Sequence, residues 1–358
     1  MGIPTLAHGG YATHALVDAA TAMELPAWLS ASDSAAMHYP FHLGWFALHE
    51  RARLQPRETL LVHAAAGGTG SGALQMGKAL GAKVIATAGS DEKVDYCLEL
   101  GADVAVTYRA TDFVEVVMEA TYGHGVDVAF DAVGGDVTLE TFKCMGFNGR
   151  HLIAGWSEGI ELENAHHLTP RAMAYGNFSL CGVCLVYVND PLGERRTLGF
   201  NWPGRSEGQQ AHATILEMIR TGRIRPTVTR ELSFAEIPST LEDMEQRNTM
   251  GRLVALIDRP DRPDRPAPEQ NREHSRPPGI GLDCWGSLRQ RNRFRPVSPR
   301  SPADSSCPVG THATCLGRDA EDPRPKSGVI RQVEWDGQLS VNVWSPPEVV
   351  PLLLVATT

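Results

Sequence analysis

The sequence predicts an α/β fold built on a doubly wound parallel sheet, and three observations carry that expectation. Short apolar runs alternate with amphipathic segments of about ten residues from Thr59 onward, the rhythm of parallel strands joined by crossover helices. The first run, Thr59–His63, is nearly unbroken in its apolar character, as a strand buried on both faces requires. It enters a turn of small residues, Ala64–Gly70, and leaves as a helix over Ser71–Leu80. Ala64, Gly67 and Gly70 stand at the spacing of a dinucleotide fingerprint, with Ala for the first Gly. Small residues let the backbone approach a pyrophosphate, and the helix start turns N–H groups and positive dipole toward it. Ala64, Gly67, Gly68, Thr69 and Gly70 are therefore expected to contact a cofactor.

Ahead of that turn, His8–Ala12 reads as a turn and His14–Val17 as a short strand. Pro26–Met37 is expected to be helical, with Ser32 or Asp33 able to cap a turn. Phe41–Arg53 follows as a second helix, with Leu43, Phe46, Ala47 and Glu50 at helical spacing. Residues 1–45 are too few for a core of their own and read as the end of a domain. After the turn come strand Lys83–Ala88, helix Asp91–Leu100 with Ser90 as N-cap, strand Val104–Tyr108 and helix Asp112–Thr121. Strand Val126–Asp131, helix Asp136–Met145, strand Arg150–Ala154 ending at Gly155, and a long strand Phe178–Val188 complete the sheet. Two such βαβαβ halves make a Rossmann sheet, with ligand at the carboxyl ends of its strands. Pro191–Gln209 reads as a loop, Ala211–Thr221 as a helix, Arg225–Leu232 as a strand, Ala235–Arg247 as a helix and Gly251–Ile257 as a closing strand.

Bulk properties exclude several classes. A net charge of -9 over 358 residues argues against nucleic acid as the main partner. Seven scattered cysteines suit reduced thiols and a cytoplasmic setting. No charged-then-apolar leader opens the chain, and Val349–Ala356 is too short to span a bilayer, so no membrane partner is expected. Residues 259–358 are rich in Pro, Arg and Ser without sustained periodicity and read as a disordered tail, with one hairpin conceivable over Trp335–Trp344.

From Gly9 to Ile257 the chain resembles the medium-chain dehydrogenase/reductase superfamily, within it the zinc-free quinone oxidoreductase (zeta-crystallin-like) branch. The stretches GGYATHALV, WFALHERARLQPRETLLVHAAAGGTGSGALQMGKALGAKVIATAGSDEKV, LGADVAVTYRATDF, GHGVDVAFDAVGG and TGRIRPTVTRELSFAEIPSTLEDMEQRNTMGRLV carry the likeness. The resemblance implies an NADPH-dependent reductase of a quinone or other α,β-unsaturated carbonyl (an enone). It implies a GroES-like substrate domain, of which residues 1–45 would be a remnant and 191–258 the return, around a cofactor domain at 46–190. It also implies a homodimer that pairs its last cofactor-domain strand, here Phe178–Val188, and it adds Gly155 to the cofactor contacts.

The sequence itself bears on the choice of nicotinamide cofactor. An NAD enzyme usually carries an acid at the end of the second strand, whereas Ala86–Ser90 has none before Asp91. Ser90 and Lys93 offer a hydroxyl and a cation suited to a 2′-phosphate, and the resemblance adds Tyr108 and Arg247 to that pocket. No catalytic acid–base pair is identified. His63 reads as a packed histidine, and His166-His167 as a solvated loop pair. No metal is expected; Cys181 and Cys184 read as a buried thiol pair on opposite faces of one strand. Many relatives carry Asn-Tyr-x-Thr where this chain has Pro40, Phe41, His42 and Leu43, and a Val where it has Thr69. Those replacements leave an alternative in place: a truncated, non-catalytic NADPH-binding protein.

Overall fold

The apolar runs pair as one parallel sheet. The computed structural model describes residues 10–12, 15, 17, 22–157 and 170–257. In chain order these form α1 (Ala31–Trp45), β1 (Thr59–Val62), α2 (Gly68–Ala79), β2 (Lys83–Ala88), α3 (Asp91–Glu99), β3 (Val104–Thr107) and α4 (Phe113–Ala120). Then come β4 (Val126–Asp131), α5 (Gly135–Thr141), β5 (Met145–Ile153), α6 (Pro170–Gly176), β6 (Ser179–Gly182), α7 (Pro191–Leu198), α8 (Arg205–Arg220), β7 (Val228–Ser233), α9 (Ile237–Glu245) and β8 (Arg252–Leu256). The sheet order is β3-β2-β1-β4-β5-β6, all parallel. The order reverses between β1 and β4, where doubly wound sheets bind their ligands. β7 and β8 pair as a separate parallel ribbon.

The strand period of two divides the core between the two faces of the sheet. Leu60, Val62, Val84, Ala86, Val128 and Phe130 pack with Met37, Phe41, Leu74 and Ile215 of α1, α2 and α8. Leu61, Ile85, Val106 and Ala129 point the other way, against Phe113 and Val117 of α4. Gly72 lets α1 and α2 cross closely, because a Cβ there would lie 2.6 Å from the Pro40 ring.

Several boundaries differ from expectation, each for a local reason. The two expected leading helices are one: α1 runs through Pro40 to Trp45 and continues as a π-helical turn, Phe46–Arg51. Proline inside a helix costs about 3 kcal/mol, but Pro40 is buried in the α1–α2 crossing. Ser30, rather than Ser32 or Asp33, is the cap; its Oγ accepts from the Asp33 N–H at 3.0 Å. The expected eleven-residue final strand shrinks to Ser179–Gly182, because its neighbour β5 ends at Ile153, opposite Gly182. The expected loop 191–209 holds α7, capped by Asp190 through the Gly193 N–H at 2.9 Å and closed by left-handed Gly199, together with the start of α8. β5 begins at Met145, after a single 3-10 turn that ends the helix expected to reach that residue. The 259–358 tail, its hairpin and His166-His167 lie outside the described residues.

Candidate cofactor site

The β1–α2 corner is tight enough to need its small residues. Ala64 adopts a φ of +49°, a left-handed conformation that favours glycine, and its carbonyl accepts from the Gly67 N–H at 2.9 Å. A Cβ at Gly70 would lie 2.3 Å from that same carbonyl oxygen and 2.8 Å from the Ala65 Cα, so only glycine fits. Gly67 is the N-cap of α2 and supplies no side chain, and no acid stands in the first turn. The first N–H groups of the helix thus have neither a capping oxygen nor a side-chain anion. Gly68 and Thr69 open the helix, both half-buried.

Against this helix start sits Arg252, a residue the sequence reading passed over. The first residues of β8 are tied to the turn by the Gly251 N–H, which donates to Ala66 O at 2.8 Å. A Cβ on Gly68 would meet Arg252 Cδ at 2.6 Å and Nη1 at 3.1 Å. Arg252 is 9% exposed, its Nε has no partner, and its guanidinium makes no hydrogen bond or ion pair among the described residues. Burial pulls its pKa down, against the opposing pull of Tyr11 and Tyr39. A buried cation beside an uncapped helix start is two positive features with no anion between them among the described residues, and each is costly alone. The signal was present in the sequence as a lone charge heading the apolar run Leu253–Ile257.

At the end of β2 the expected polar residues do come together. Ser90 caps α3, accepting from the Lys93 N–H at 3.4 Å. Lys93 Nζ donates to the Arg247 carbonyl at 2.5 Å, and Arg247 itself has a φ of +60°. Tyr108 holds its hydroxyl 3.1 Å from the place a Gly89 Cβ would take. Gly155 lies three strands over from β2, just past β5, where a Cβ would come within 3.1 Å of the Ala132 carbonyl oxygen. β2 itself ends in Thr87 and Ala88, and the carboxylates Asp91 and Glu92 appear only inside α3.

Two buried polar clusters flank the crevice. His63 bonds Thr87 Oγ1 at 3.0 Å and Thr141 Oγ1 at 2.9 Å; burial lowers its pKa to about 4, which fits the packed, neutral role. Nearby, Asp131 accepts from Thr138, from the Val133 and Gly134 N–H groups, and bonds His151 at 3.2 Å. The second cluster joins α1 to α8. His212 Nε2 faces the Glu24 carbonyl at 2.9 Å and must donate to it. His212 Nδ1 therefore accepts from His42 Nε2 at 3.1 Å, and Tyr187 donates to His42 Nδ1 at 3.0 Å. His38 lies edge-on to His42, and its Nδ1 has no partner. Cys184 is exposed and lies beyond β6, while Cys181 is half-buried within it, so the expected buried thiol pair is not formed. Among the described residues no group of three His, Cys, Asp or Glu side chains is arranged to hold a metal ion.

Residues 68–193 match the family model described as zinc-binding dehydrogenase. The quinone oxidoreductase-like protein 2 of Bos taurus is 30% identical over 255 residues, covering 71% of this chain and 68% of that protein. The chain belongs to the medium-chain dehydrogenase/reductase superfamily, among its quinone oxidoreductase-like members. The Rattus norvegicus protein of the same name is 36% identical over 250 residues, covering 68% of this chain and 65% of its own. A crystal structure of Escherichia coli quinone oxidoreductase complexed with NADPH superposes with a TM-score of 0.55 at 28% identity, covering 66% of this chain and 68% of that one. The chain thus spans about two thirds of the length of the quinone oxidoreductase-like proteins it matches.

Proposed function

We propose that this quinone oxidoreductase-like chain binds NADPH and reduces a quinone or other α,β-unsaturated carbonyl. The observation that carries the reading is the α2 start, where a turn that admits only glycine at position 70 meets the buried guanidinium of Arg252, whose Nε has no partner among the described residues. A pyrophosphate there would take the free helix N–H groups and neutralise the buried cation together. Ser90, Lys93, Tyr108 and Arg247 would surround the 2′-phosphate, at a strand end without the acid that would repel it. When bound, the nicotinamide supplies a hydride. The protein's share is to hold the acceptor in line, exclude water and stabilise the oxyanion that develops. In this reading residues 46–190 hold the cofactor, residues 191–258 belong with the substrate side, and two copies pair along the β6 edge.

The test is a fluorescence titration with NADPH and NADH, in the native chain and in Lys93→Ala. Loss of a charge-assisted contact to the extra phosphate should weaken NADPH by about 1–3 kcal/mol and leave NADH nearly unchanged. Equal weakening of both nucleotides would remove Lys93 from the phosphate pocket.

A second reading, a nucleotide-binding protein without turnover, is favoured by one observation. Pro40, Phe41, His42 and Leu43 stand where many relatives have a polar stretch, and all four are buried in the α1 packing. Turnover of any enone or quinone by the purified chain would eliminate it.

A further inference from the structure

Resting on the reductase reading, we propose that Asp131 is a positioning residue, whose buried carboxylate sets the loop 132–135 against which the nicotinamide half of the cofactor lies. Asp131 ends β4, the strand beside β1 at the point where the sheet order reverses. Val62 pairs with Phe130 across that ladder, and the His63 N–H donates to the Phe130 carbonyl at 3.0 Å. The loop that starts at Ala132 therefore leaves the sheet beside the corner that starts at Ala64. A dinucleotide crosses such a reversal, with one nucleotide on each half of the sheet. With Ser90 and Lys93 at the adenosine end, past β2, the ends of β4 and β5 fall to the nicotinamide.

The two corners are prepared for different chemistry. At the α2 start the first N–H groups have no side-chain acceptor. In the loop after β4 two N–H groups are already used: Asp131 Oδ1 accepts from Val133 at 2.8 Å and from Gly134 at 3.0 Å. Asp131 Oδ2 accepts from the Thr138 hydroxyl and bonds His151 Nε2 at 3.2 Å. A phosphate would find those two donors taken, whereas the face of a flat ring needs none. Burial pushes the Asp131 pKa up, but the bonds from His151 and Thr138 outweigh it and hold the carboxyl below the usual range. It stays an acceptor and offers the site no proton.

Gly134, at φ +84° and ψ -166°, and Gly135, at φ +58°, put bare backbone into this loop, in conformations that side chains rarely adopt. Such a segment keeps its shape only where its surroundings fix it. Asp131 does so from within the sheet. From the side, the Ser157 N–H donates to the Ala132 carbonyl at 3.2 Å and the Ala154 N–H to the Asp131 carbonyl at 2.7 Å, lacing the loop to the one after β5. Asp131 thus touches neither cofactor nor acceptor; it fixes the surface that holds the ring in line with the carbon it reduces.

Adenosine 2′,5′-bisphosphate, which carries the adenosine end without the nicotinamide, separates this role from a structural one. In full-length Asp131→Ala the Kd of NADPH should rise about tenfold while that of the bisphosphate stays within about twofold, both read by titration calorimetry. With 2-cyclohexen-1-one as acceptor, kcat should fall about 10²-fold. Asp131→Asn keeps an oxygen for the Val133 and Gly134 N–H groups and turns its amide to the Thr138 oxygen, so it should hold NADPH within about twofold of the native chain. If circular dichroism shows Asp131→Ala unfolded, Gly134→Ala decides. Its Cβ would find ordinary contacts, the nearest Trp156 Cδ1 at 3.6 Å, so it strains only the backbone and should split the two ligands in the same way. Undiminished NADPH binding by the deciding variant, equal weakening of NADPH and the bisphosphate, or Asp131→Asn as damaging as a folded Asp131→Ala overturns the assignment. In each of these the native chain still binds NADPH; its failure to do so would instead bring down the reductase reading, and this assignment with it.

Discussion

Helices α2 and α8 begin alike and end up electrostatically opposite. Each has a glycine N-cap, Gly67 or Gly204, with no side chain to satisfy the first N–H groups. In α8 the chain supplies its own anion. Glu207 lies in the first turn, its Oε2 2.8 Å from where a Gly204 Cβ would be. Hydrogen bonds from Ser206 and from the local N–H groups hold that carboxyl below the usual range. In α2 the first turn has no acid, and the buried Arg252 guanidinium, without a hydrogen bond or ion pair among the described residues, lies against Gly68. One helix start is complete as folded; the other is left for a ligand to complete. An N-terminus alone is no site, and what sets α2 apart is the guanidinium that makes it worse until an anion arrives.

Three changes break or sharpen that contrast. Arg252→Met removes the buried charge while keeping much of its volume. NADPH binding should weaken by about 1.5–3 kcal/mol, while urea denaturation of the ligand-free protein shows stability unchanged or raised, since a buried charge without a partner is lost. A parallel loss of both would mean that Arg252 is merely structural. Acidification penalises the fold near the same guanidinium, because the unfolded chain takes up a proton that the buried His38 does not. Burial, with help from His212 and Arg252, lowers the His38 pKa to about 3, below the ordinary unfolded value. A depressed imidazole stabilises the fold above the unfolded value and loses that contribution as pH falls toward the folded one. His38 alone should thus cost about 2 kcal/mol between neutral pH and pH 5. Urea melts of the native chain and of His38→Phe at the two pH values check this: the native chain should lose more than the variant. Smallest is Glu207→Gln, which should destabilise by about 0.3–1 kcal/mol at low salt and leave NADPH affinity unchanged.

The α/β rhythm and the corner at Ala64–Gly70 were legible because strand, small-residue turn and helix occur within one continuous stretch, where periodicity and turn chemistry are local signals. The gathering of Lys93 with Arg247 was reached only through family resemblance, since residues so far apart in sequence meet through the tertiary fold. Arg252 was missed because a lone arginine heading a strand looks like a solvated edge charge; only the Gly251–Ala66 hydrogen bond turns it onto α2. The continuous α1 was missed because Pro40 reads as a helix end, and its packing against Gly72 is invisible to local rules. β6 was drawn too long for a related reason: composition records β-propensity, whereas strand length depends on where the neighbour β5 stops.

The central claim is that the bare start of α2, with Arg252 against it, is a phosphate site. Its most direct measurement is an NADPH fluorescence titration of the native chain beside Gly70→Val, whose side chain would collide with the Ala64 carbonyl. Saturable binding by the native chain and its loss in the variant, with circular dichroism showing the variant folded, is the predicted result. Undiminished binding by folded Gly70→Val, or none by the native chain, would contradict it.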